Sequence, residues 1–106
     1  MYDLPATSNM QSTIPSHLIS TYNLIQSAFA NGVDEQSYFP LLSILTTEMS
    51  DRNLAQTISY LTHKDYAQVL NDIYAVQSSA VPSTESVSRV LAILHQFGYE
   101  QWLKSE

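Results

Sequence analysis

Apolar residues in this chain recur three and four positions apart, in runs that polar turns cut short within about a dozen residues. That spacing puts them on one face of a helix. Nowhere do apolar and polar residues alternate over a useful length, so no sheet is expected. The first run covers residues 14–30, with Leu18, Tyr22, Ile25 and Phe29 on one face. Thr13 or Ser16 is placed to cap it, and Pro15 suits a first turn. Asn31 and Gly32 accept the left-handed backbone that closes a helix. The second run lies within residues 34–48, with Asp34 as N-cap and Glu35 near the positive end of the helix dipole. Tyr38, Leu41, Leu42, Leu45 and Met49 form its face, the most apolar in the chain and the expected centre of the core. Pro40 must sit near the first turn of this helix or it would kink it.

Ser50 reads as the next N-cap, with Asp51 in the first turn and Leu54, Ile58 and Leu61 at helical spacing to about residue 62. His63, Lys64 and Asp65 break the pattern, and Asp65 is placed to cap a fourth helix with Tyr66, Val69, Leu70 and Ile73 on its face. That helix fades at Gln77-Ser78-Ser79. Val81-Pro82 marks a boundary, because the residue before proline is pushed out of the helical region. Ser83 caps a fifth helix with Glu85 in its first turn and Val87, Val90, Leu91 and Leu94 as its stripe. Gly98 is the stop, and a last short turn carries Trp102 and Leu103. The expected fold is all-α, a compact bundle of four to five short helices. Residues 13–106 form one domain. Residues 1–12 (MYDLPATSNMQS) show no periodicity and are expected to be a flexible, disordered N-terminal tail, with Tyr2 and Leu4 available to dock.

The order of these signals resembles that of a known family. Ser37-Tyr38-Phe39-Pro40-Leu41-Leu42, then Ser50-Asp51, then Pro82-Ser83 with Arg89-Val90 and Gly98-Tyr99, is similar to domain-of-unknown-function family 3349, a group of small actinobacterial proteins. The family pattern has an acidic residue before the tyrosine, an acidic run after the serine cap and a Gly-Trp-Pro close. Here Ser37, Arg52-Asn53 and Tyr99 stand at those places. The likeness covers roughly residues 14–102. Its motifs are caps, turns and core positions, so it implies a compact bundle of five short helices and no active site.

Composition narrows the function classes. The 106 residues allow one domain. A chain of this size buries roughly two thirds of the surface its unfolded form exposes, so its core should suffice without a cross-link or metal. There are no cysteines, which excludes disulfides and thiolate chemistry and suits a reducing compartment. Four basic residues face ten acidic ones, a formal net charge of -6. Arg52, Lys64, Arg89 and Lys104 are scattered singly, unlike the basic clusters that replace counterions on phosphate. Nucleic acid and anionic membrane are therefore not expected as partners, whereas a basic protein surface is. Charged residues make up 13% of the chain, against about 25% in an average protein. The polar surface is therefore mostly Ser, Thr, Asn and Gln. No apolar run approaches the roughly 20 residues that span a bilayer. Residues 1–13 lack the basic start and apolar stretch of a signal peptide. The expected location is cytoplasmic.

No catalytic constellation stands out. His17, His63 and His95 have no partner at metal-ligand spacing. His63 reads as part of a solvated turn and His95 as a boundary residue. No Gly-x-Ser-x-Gly elbow is present, and Gly32 and Gly98 alone cannot build a phosphate loop. Asp34 and Glu35 are explained as a helix start. No enzyme activity, cofactor or metal is expected, though a glycosidase-type acid pair that meets only in space stays open. The seven tyrosines are the most suggestive feature. Tyr22, Tyr38, Tyr66 and Tyr74 fall on or beside apolar faces, as core residues with the hydroxyl reaching the surface. Tyr60, Tyr74, Tyr99 and Trp102 are the candidate interface, because Tyr and Trp bury rigid area and keep a polar handle. The leading expectation is a small acidic protein-interaction module, with an inhibitor or immunity-type binder of a basic protein as its sharper form. The alternative is a DNA-associated regulator using the helix–break–helix from Asn53 to Tyr74. Gln68 and Asn71 there could read adenine, but Asp65 and Asp72 would face phosphate.

Overall fold

The computed structural model describes residues 14–105. A 3-10 turn over Ser16–Leu18 leads into six α-helices. These are α1 (Ile19–Ala28), α2 (Glu35–Leu45), α3 (Asp51–Thr62), α4 (Tyr66–Gln77), α5 (Thr84–Gln96) and α6 (Tyr99–Ser105). No strand occurs among the described residues. The expected tail at residues 1–12, with Tyr2 and Leu4, and the proposed cap Thr13 lie outside the described residues.

Two helix boundaries differ from expectation. The first helix starts at Ile19 rather than residue 14, because Pro15 is extended (φ -56, ψ 141) and only the short 3-10 turn follows it. No side chain caps either segment, so Ser16 does not serve as the expected cap. The sequence also predicts only a last turn around Trp102, whereas α6 is a sixth helix. Gly98 makes it possible. At φ +97 it stops α5, and its carbonyl then accepts the Trp102 N–H at 2.9 Å, starting α6 at once.

The caps that depend on local chemistry are made. Ser50 Oγ accepts the Asn53 N–H and Ser83 Oγ accepts the Ser86 N–H, each at 3.1 Å. Asp34 and Asp65 occupy the N-cap positions of α2 and α4 without a side-chain bond.

Helix α2 is the centre of the core. Ser37, Tyr38, Pro40, Leu41, Leu42, Ile44 and Leu45 are all buried in it. It packs against α4 and α5, while α3 pairs with α4. Leu54, Ile58, Val69, Ile73, Val90 and Leu94 close the same cluster. Each such side chain contributes about 1.5–3 kcal/mol by leaving water.

Pro40 lies well inside α2 rather than at its start. Having no N–H, it leaves the Gln36 carbonyl without its usual helical donor. Arg89 of α5 fills that gap: Nη2 donates to Gln36 O at 3.2 Å, and Nη1 donates to the buried Ser37 Oγ at 3.3 Å. A defect written by one residue is thus answered by another, 49 positions later.

Candidate binding groove on helices α3 and α4

The helix–break–helix expected from Asn53 to Tyr74 is present. His63 ends α3 in the left-handed region (φ 64), and its N–H reaches Ser59 O at 2.9 Å. Ser59 Oγ in turn donates to the Lys64 carbonyl at 2.7 Å, tying the last turn of α3 to the break. Chain reversal here brings the start of α4 back beside α3.

On α3, Arg52, Asn53, Gln56, Ser59 and Tyr60 recur at helical spacing. Together with Tyr66 at the start of α4 they line an open groove of about 600 Å³. Among the described residues its lining holds one cation, three amide or hydroxyl side chains, two phenol rings and no carboxylate. The Arg52 guanidinium makes no hydrogen bond or ion pair with another described residue. The neighbouring carboxylate is occupied elsewhere: Asp51 Oδ1 accepts from Thr46 Oγ1 at 3.1 Å and from Gln77 Nε2 at 3.2 Å. Tyr66 is 39% exposed, although it belongs to the apolar repeat of α4. It occupies the first position of that helix, before the turn that packs onto the core, and this position was the available signal for its exposure.

The four candidate interface residues separate. Tyr60 is half-buried and lines the groove. Tyr74 is 49% exposed on α4 but is not part of the lining. Tyr99 and Trp102 are corrected: they are 6% and 5% exposed and belong to the core. Their rings stack at 5.7 Å, and Trp102 Nε1 donates to the buried Thr21 hydroxyl at 3.1 Å. The indole polar handle is therefore spent inside the fold, not on a surface. Burial raises the Tyr99 phenol pKa, and the charge of Glu48 adds to the shift. His95, exposed on α5, meets the Tyr99 ring edge-on at 5.2 Å.

A second polar cluster ties α2 to α4. The buried Tyr38 hydroxyl donates to Asp72 Oδ2 at 2.7 Å, and Gln68 Nε2 donates to Asp72 Oδ1 at 3.1 Å. Lys64 Nζ sits 4.7 Å from the Tyr38 ring centroid, a cation–π contact. Burial pushes the Tyr38 phenol well above its ordinary range, and the hydrogen bond and charge of Asp72 push it further. Tyr38 thus differs from the expectation of a hydroxyl at the surface. The cluster also engages Gln68, one of the two amides that a DNA-reading helix would offer to bases.

Among the described residues, no group of three or more His, Asp or Glu is placed to hold a metal ion. None of their helices is long and apolar enough to cross a membrane. No family model matches the chain, and no match was found among curated proteins or solved structures.

Proposed function

We propose that this chain is a non-enzymatic protein-interaction module that binds its partner through the α3–α4 groove. The observation that carries the reading is the pairing of Tyr60 and Tyr66 in one open groove among amide and hydroxyl side chains and the Arg52 guanidinium. Phenol rings on a solvated face supply large rigid contact area at low entropic cost. The net charge of -6 favours a partner with a basic surface through long-range attraction. An inhibitor of a basic protein, of the immunity type and acting in the cytoplasm, is the specific form we favour.

The test is affinity capture from the source cells, with the wild type and a Tyr60→Ser/Tyr66→Ser variant handled side by side. Native mass spectrometry of the eluates reads stoichiometry, and circular dichroism checks that the variant is folded. One stoichiometric partner on the wild type, absent from the folded variant, is the expected outcome. Equal capture by both proteins, or a wild type that elutes only at its own mass, rejects the groove as the binding face.

A further inference from the structure

We infer that the α3–α4 groove recognises a carboxylate that adjoins a flat apolar group, as in an acidic, aromatic-bearing peptide segment of the partner. The inference deepens the proposed function and rests on it for the location of the site. Its starting point is the cation in the groove lining, Arg52, which is exposed. Acidic residues outnumber basic ones ten to four, yet Arg52 finds no carboxylate among the described residues. The acid next to it in sequence, Asp51, is held by Thr46 and Gln77. Arg89 shows the contrast, since its guanidinium is engaged by Gln36 and Ser37.

An unengaged guanidinium offers a planar fork of donors that matches the two oxygens of a carboxylate. The groove presents this fork without a competing acid among the described residues of its lining. The amides of Asn53 and Gln56 lie in the same lining and can donate to oxygens or to peptide carbonyls. Tyr66 brings an exposed ring to the same groove, against which a flat group can stack. One cation matches a monoanion. A phosphate carries about -1.5 to -2 charges at neutral pH and calls for more than one basic group. The groove holds only one, on a chain that is already acidic. Long-range and contact recognition then divide the labour: the field of the whole chain draws in a basic surface, and Arg52 grips one acid upon it.

The experiment is a titration of the full-length, isotopically labelled protein, followed by amide and arginine side-chain resonances. The probes are a blocked glutamate-tyrosine-glutamate peptide, its glutamine-tyrosine-glutamine counterpart, inorganic phosphate and a short single-stranded oligonucleotide. The glutamate peptide is expected to shift Arg52, Asn53, Gln56 and Tyr66 and to bind about tenfold more tightly than the glutamine peptide, the factor expected from losing one charge-assisted pair. Arg52→Gln, in which the fold is checked by its unchanged spectrum elsewhere, removes that preference. Equal binding of the two peptides, shifts that map outside the groove, no shifts at millimolar peptide, or a stronger response to phosphate or the oligonucleotide each overturns the inference. If the carboxylate preference fails while partner capture still depends on Tyr60 and Tyr66, only the ligand class is wrong and the groove stands.

Discussion

His63 adopts a left-handed backbone that a residue with a Cβ pays strain to hold. Gly98 and Gly32 have positive φ without that strain. Replacing His63 by Gly should therefore stabilise the protein by about 0.5–1 kcal/mol, read as a higher urea midpoint with an unchanged slope. A lower midpoint would show that the imidazole makes contacts worth more than the relief. Tyr38 offers a second test at this scale. Its phenol is held neutral in the fold, well above the ordinary value near 10. Above about pH 10 the unfolded chain releases this proton while the folded chain keeps it, so stability falls as pH rises. Tyr38→Phe should remove that part of the alkaline decline, with a modest loss at neutral pH from the missing bond to Asp72. Equilibrium unfolding at pH 7 and above pH 10 checks it; an identical decline in both proteins would assign it to other groups.

Among the elements, α2 and α5 are joined by a contact whose strength can be separated from its cause. Arg89→Met leaves the Gln36 carbonyl and Ser37 hydroxyl without their donors and should destabilise by about 0.5–1.5 kcal/mol, since the carbonyl side faces water. Pro40→Ala restores a helical N–H to the Gln36 carbonyl. In that background Arg89→Met should cost less, and thermal melts of the four-protein cycle measure the difference. Strict additivity would mean that Arg89 does not answer the proline. These helices also show what a sequence can disclose. Starts and stops are legible where they are made by neighbours, as at Ser50, Ser83 and Gly98. The direction a helix faces is set by distant partners and is harder to read. Around α1 the sequence points to Leu18, Tyr22, Ile25 and Phe29; Leu18 and Ile25 are buried and Phe29 packs against the core, but Thr21 and Leu24 are buried where Tyr22 is not. Trp102 draws Thr21 inward by donating to it across 81 positions. The candidate site divides along the same line. Tyr60 can be found from spacing, whereas the burial of Tyr99 and Trp102 and the exposure of Tyr66 depend on where α4 and α6 lie against the rest.

For the whole molecule the decisive property is a charge excess with no ion pair between described residues to offset it. Such a chain repels itself more when compact than when unfolded. Sodium chloride screens this repulsion, so the thermal midpoint should rise with added salt. A fold resting on salt bridges would show the reverse, and a falling midpoint would mean that charge attraction outweighs the repulsion. The same field predicts that association with a basic partner slows steeply with ionic strength, in contrast to the gain in stability.

The bond from Trp102 to Thr21 also orders events in time. Thr21 leaves the ribosome long before the residue that satisfies its buried hydroxyl. Until α6 emerges, α1 has only α3 and α5 to pack against, and the Thr21 hydroxyl lacks its indole donor. Trp102 thus completes the α1 side of the fold, and a chain lacking it leaves the Thr21 hydroxyl without this donor.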